Sequence, residues 1–77
     1  MSEVLFLTRD GCHLCHRALP WVEESVARRG HHLSIGDVDA DPALGDRFGD
    51  RVPVVLRDGV EVLWGRFGRR DVRRALR

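Results

Sequence analysis

The sequence predicts an α/β domain in the order β-α-β-α-β-β-α, with a four-stranded mixed sheet and helices on both faces. Three observations lead there. Short apolar or β-branched runs alternate with stretches of helical period. An Asp58-Gly59 pair separates the last two apolar runs, as in a two-residue hairpin. The chain has 77 residues, enough for one domain (1–77) with a thin core, since a chain of this size buries only roughly 60% of its unfolded surface.

The first strand is Glu3-Val4-Leu5-Phe6-Leu7, a continuous apolar run that suits a buried position. Thr8-Arg9-Asp10-Gly11 makes a turn. A helix runs from Cys12 to Arg29, with Leu14, Ala18, Trp21, Val22, Ser25 and Val26 on one face. Gly30 ends it after Arg28 and Arg29, which suit the negative end of the helix dipole. His31 to Val38 reads as a second strand. Leu33, Ile35 and Val38 are its expected buried contacts, with His31 and His32 as surface or edge residues. Asp41 caps a short helix that has Pro42 at its first position, carries Leu44 and Phe48, and ends at Gly49. Val52 to Leu56 is the third strand and Val60 to Trp64 the fourth. A last helix runs from Gly68 or Arg69 to Arg77, with Val72, Ala75 and Leu76 packed on the sheet. The first two strands need a crossover and pair in parallel, and the last two form an antiparallel hairpin.

Composition narrows the function classes. A hydrophobic share of 43% and a net charge of +1 exclude disorder. No apolar run approaches the roughly 18 residues of a membrane span. Met1–Leu7 has no basic flank of the kind a signal peptide carries, so a cytoplasmic location is expected. Structural disulfides are rare there, which makes two cysteines redox-active or metal-binding by expectation. Charge is unevenly spread. Residues 66–77 hold six Arg and one Asp, net +5, against net −4 for residues 1–65. Arg70, Arg73, Arg74 and Arg77 form a stripe on the last helix, read as a solvated face with docking to an acidic partner as the functional option. No fold signature accompanies it, so no nucleic acid is expected. The aspartates at 37, 39, 41, 46 and 50 read as loop and cap residues.

Cys12-His13-Leu14-Cys15 carries the chemistry. A helix N-terminus presents unpaired N–H groups and about half a positive charge, which stabilise a thiolate. Arg9, His13, His16 and Arg17 add positive potential. The spacing brings Cys15 within disulfide reach of Cys12. Cys12 is the expected nucleophile and Cys15 the resolving thiol, the catalytic pair of a two-step thiol–disulfide exchange. Competing readings exist. Cys12-His13-Leu14-Cys15-His16 matches the pattern of covalent haem attachment. Cys12, Cys15, His31 and His32 are four zinc-capable side chains, but adjacent histidines on a strand point to opposite faces. A cluster bridged between two chains is a third option. No metal site is expected, and a scaffold that docks partners through its Arg stripe completes the alternatives.

Three stretches resemble the thioredoxin-like superfamily, and most closely its short glutaredoxin-like proteins: Leu7 to Cys15, Asp37 to Pro42, and Val52-Pro53-Val54-Val55. The resemblance covers nearly the whole chain and implies a minimal thioredoxin-like fold. Pro20 occupies a helix position where many thioredoxins also have Pro. The resemblance implies that Pro53 is cis beside the cysteines and that Val52 and Pro53 form a substrate-binding edge, open to an extended substrate by strand addition. It places Arg9 where a basic residue meets a glutathione carboxylate, while His13 is expected to tune the charge of the pair because it lies between the two cysteines. Arg51 stands where glutaredoxins usually have Thr, and the adjacent glycines that help hold glutathione are missing from Gly65-Arg66-Phe67-Gly68. Trp64-Gly65-Arg66-Phe67 resembles the small redoxins that serve ribonucleotide reductase. The implied activity is reduction of protein or low-molecular-weight disulfides by a monomer. It needs no cofactor beyond a thiol reductant, with glutathione, another small thiol or a reductase as electron donor.

Overall fold

The computed structural model describes residues 1–77. Its elements are β1 (Glu3–Thr8), α1 (His13–Arg29), β2 (His32–Asp37), α2 (Pro42–Phe48), a 3-10 turn at Gly49–Arg51, β3 (Val54–Arg57), β4 (Val60–Trp64) and α3 (Arg69–Ala75). The sheet order is β2-β1-β3-β4. β1 pairs in parallel with β2 and antiparallel with β3, and β3 pairs antiparallel with β4.

The strand order explains the apolar patterning. β1 and β3 are central and buried on both faces, so nearly every residue in them is apolar. Val4, Phe6 and Val55 face the larger cluster, formed with Cys15, Ala18, Val22 and Val26 of α1 and with Val72 and Leu76. Leu7 and Val54 face the smaller one, with Val38 and Phe48. α1 and α3 therefore cover one face and α2 the other.

Three expectations need correction. Ile35 is 53% exposed rather than buried, because β2 is an edge strand with little above it, while Val38 is buried just past the strand end. The third strand starts at Val54, not Val52: Pro53, whose bond to Val52 is cis, has no N–H to give a ladder. His31 is half-buried just ahead of the edge strand and is engaged rather than free. Ser2 N–H donates to its Nδ1 at 2.9 Å, which leaves the ring proton on Nε2, and Nε2 donates to Leu76 O at 2.7 Å. Beside it Arg57 donates to Ser2 Oγ, Ala75 O and Arg77 O at 2.8–2.9 Å. These two side chains supply donors to the last carbonyls of the chain, which helix geometry leaves without partners.

Helix ends follow the sequence more closely. Gly30 takes φ 71° as the left-handed cap of α1. Asp41 accepts from Ala43 N–H at 2.9 Å at the start of α2. α1 continues unbroken through Pro20, whose ring cannot donate to the His16 carbonyl. In the Asp58-Gly59 hairpin both residues have positive φ, as a type I′ turn demands. Asp58 Oδ1 also accepts from Glu3 N–H at 2.9 Å, which holds its carboxyl below the usual range.

Candidate active site

β1 ends at Thr8, and the chain turns through Gly11, which adopts φ 76°. That turn delivers Cys12 to the N-cap of α1 with extended backbone, φ −85° and ψ 106°. Its Sγ accepts from Cys15 N–H at 3.2 Å, taking the place that Ser or Asp fills at other helix starts. The first turn of α1 contains no acidic residue, so only the two cysteines there can carry negative charge against the dipole. Cys12 and Cys15 are joined as a disulfide with Cα atoms 5.2 Å apart. The two sulfurs differ in access. Cys15 is 1% exposed within the main core, whereas Cys12 is half-buried at its edge.

Val52 is half-buried and packs against both core clusters, and Pro53 is fully buried. Leu7, near the end of β1, pairs with Val54 at the start of β3, so the cysteine turn and the Val52-Pro53 loop emerge at the same end of the sheet. His13 is exposed beside them. Arg9 is committed inside the chain: Nε and Nη2 grip the Asp39 carboxylate at 3.1 and 2.7 Å, and Nη1 donates to Gly49 O at 2.9 Å. This fork ties the end of β1 to both sides of α2. The hydrogen bond to Asp39 raises the Arg9 pKa above its ordinary value and lowers that of Asp39. A guanidinium so paired projects little net field, so positive potential at Cys12 comes first from the helix end.

Arg51 and Gly65 do work that sequence reasoning missed. Arg51 donates to both carboxylate oxygens of Glu61 at 2.8 and 3.2 Å and to Arg47 O at 3.2 Å. Its guanidinium lies 5.7 Å from the ring centres of both Phe48 and Trp64. Gly65 N–H donates to Arg51 O and Pro53 O at 2.9 and 2.8 Å. Gly65 has φ 71°, so a glycine suits this bend that ties the loop after β4 to the Val52-Pro53 loop. The visible signals were an Arg in a Thr position and a Gly closing a strand.

The zinc alternative fails on placement. His31 sits beside Ser2, at the opposite end of β1 from Cys12, and no group of three or more His, Cys, Asp or Glu side chains is arranged to hold a metal ion. No helix is long and apolar enough to cross a membrane.

A four-stranded mixed sheet between helices, with a Cys-x-x-Cys disulfide at the start of the first helix and a cis-proline loop at the same end, defines a thioredoxin-like domain. Solved structures agree. A target protein from X. campestris (XcR50) superposes with TM-score 0.76 and 30% identity over 92% of this chain and 91% of its own. A single-site mutant of thioredoxin from Halobacterium salinarum gives TM-score 0.72 and 25% identity over 97% and 71%. Thioredoxin 1 from Thermosipho africanus, at 19% identity, shares the fold with TM-score 0.72 over 95% and 88%. Within that class the chain belongs to the glutaredoxin-like domain family (DUF836), whose family model matches residues 3–77. It is 41% identical over 64 residues to Uncharacterized protein Mb0520 of Mycobacterium bovis and to Uncharacterized protein Rv0508 of Mycobacterium tuberculosis. Each match covers 77% of this chain and 66% of the relative, a little under two thirds of those proteins' length.

Proposed function

We propose that the protein is a cytoplasmic thiol–disulfide oxidoreductase that reduces disulfides of proteins or small molecules. The carrying observation is the unequal setting of two paired sulfurs: Cys12 at the edge, capping a helix that has no acid in its first turn, and Cys15 buried behind it. In the reduced protein the Cys12 thiolate attacks a substrate disulfide, forms a mixed disulfide and expels one substrate thiolate. Cys15, as thiolate, then attacks the Cys12 sulfur and expels the second. The substrate disulfide gains two electrons and the protein dithiol loses two. A small thiol such as glutathione, or a reductase, returns them, and no other cofactor takes part.

Val52 and Pro53 serve as the edge against which the substrate lies. His13 tunes charge beside Cys12. Arg9, held by Asp39, contributes by fixing the turn before the cysteines. The polypeptide acts as a monomer, away from membranes and nucleic acid.

The test is equilibration in glutathione buffers with trapping of free thiols. A reversible two-electron transition between about −280 and −180 mV is the expected result. Cys12→Ser abolishes exchange, and Cys15→Ser accumulates the mixed disulfide. Absence of any intramolecular disulfide across the whole range overturns the dithiol mechanism.

A further inference from the structure

We propose that the groove beside the cysteine turn selects polypeptide disulfide substrates that carry acidic side chains next to the reacting cysteine. This rests on the dithiol reading above and names its substrate class. Leu14, Arg17 and Trp21 of α1, spaced three and four residues apart on one helix face, form one wall. The Gly65–Gly68 loop and Asp71 form the other, and the open space between them is about 370 Å³, within the range of ligand clefts. Leu14 sits in the first turn of α1, the turn that Cys12 caps, so one end of the groove lies within a helical turn of the cysteine pair.

Its chemistry is specific. Trp21 and Phe67 are half-buried against the main core and give an apolar floor. Arg17 and Arg66 stand exposed at the rim and make no ion pair or hydrogen bond within the chain. They contrast with Arg9, Arg51, Arg57 and Arg73, each of which has found an internal acceptor. The groove's one carboxylate, Asp71, accepts from Gly68 N–H at 2.8 Å and closes the first turn of α3. Two unengaged guanidinium forks over an apolar floor match carboxylates on an extended chain. The net +5 of residues 66–77 steers such a chain to this side of the molecule. The redox step is the one already described: the peptide's sulfur–sulfur bond breaks, it leaves as a dithiol, and the Cys12–Cys15 bond forms.

The experiment uses the reduced full chain and two synthetic peptides with one intramolecular disulfide each. They are identical except that Asp and Glu flank the cysteines in one, and Asn and Gln in the other. The acidic peptide is expected to react about three- to tenfold faster at low ionic strength, the size of two exposed ion pairs. The advantage disappears towards about 1 M NaCl, where screening acts within about 3 Å. R17E/R66E inverts the ratio, and R29Q, outside both the groove and residues 66–77, leaves it in place. Each ratio compares two peptides on one preparation, so partial loss of folding does not imitate the effect. Equal rates in the wild type, or an unchanged ratio in R17E/R66E, overturn the groove assignment. If glutathione disulfide matches the acidic peptide and loses as much in R17E/R66E, the groove serves a small acidic thiol and the polypeptide assignment falls. No reaction with any disulfide overturns the oxidoreductase reading itself.

Discussion

His31→Ala removes a latch between the two ends of the chain. The imidazole joins Ser2 N to Leu76 O through hydrogen bonds of 2.9 and 2.7 Å, spanning 29 and 45 residues of sequence. Each such bond contributes a net of roughly 0.5–1.5 kcal/mol. The ring is half-exposed, so water takes over part of the lost bonding in the variant. About 1.5 kcal/mol is therefore expected for the pair, against a total stability of roughly 4–12 kcal/mol for a domain of this size. A loss of that size lowers the melting temperature by roughly 6–12 °C. Thermal unfolding followed by circular dichroism at neutral pH is the assay. His32→Ala is the control: its imidazole meets Glu3 at 2.9 Å with both side chains more than 70% exposed, and it contributes below about 0.5 kcal/mol. The latch lies a full strand, roughly 20 Å, from the cysteines. The Cys12/Cys15 midpoint potential therefore stays in place while the melting temperature falls. Equal shifts in the two variants would refute the latch, and a moved potential would refute its separation from the site.

Arg51→Lys keeps the charge but loses the bidentate grip on Glu61, so urea unfolding shows a loss of about 1–2 kcal/mol that Lys does not restore. The Leu76 side chain is fully buried, and Leu76→Ala costs roughly 2–5 kcal/mol, enough to show partial unfolding by circular dichroism near 37 °C. The Asp58 carboxyl is held below its ordinary pKa by Glu3 N–H, so its contribution is present above about pH 4 and is lost as acid protonates the folded form. Asp58→Asn therefore lowers stability at neutral pH and flattens its decline below about pH 4, read from urea midpoints in acid.

Order, pairing and both helix faces were legible because central strands and amphipathic helices write their burial into the sequence. Val4 to Leu7 is apolar at every position because two faces of β1 are covered, and Asp58-Gly59 states its own turn. The edge strand wrote less. Ile35 looks like a core residue, and only the strand order shows how little covers it. Long-range polar contacts wrote least. No spacing rule joins His31 to Ser2 and Leu76, or Arg51 to Glu61, because these pairs meet only after the sheet has formed. The cysteine turn was readable because its chemistry is local: a strand end, a glycine and a helix start within a few residues. The Val52-Pro53 loop was placed by resemblance, since a proline before a β-branched run reads equally well as the first residue of a strand.

Cys12 is at once the proposed nucleophile and the cap of α1, and one atom serves both roles. In the disulfide its sulfur is a weak, neutral acceptor for Cys15 N–H. As a thiolate it becomes a charged one, so each electron pair taken up tightens the start of the helix. A thermodynamic cycle joins the two properties. The stability gained or lost on reduction equals the change that folding makes in the pair's affinity for electrons. Denaturant titration of the oxidised and reduced forms is then a voltmeter, reading about 30 mV for every 1.4 kcal/mol between the two curves. Substitutions that touch only the helix N-terminus shift that reading without altering either sulfur.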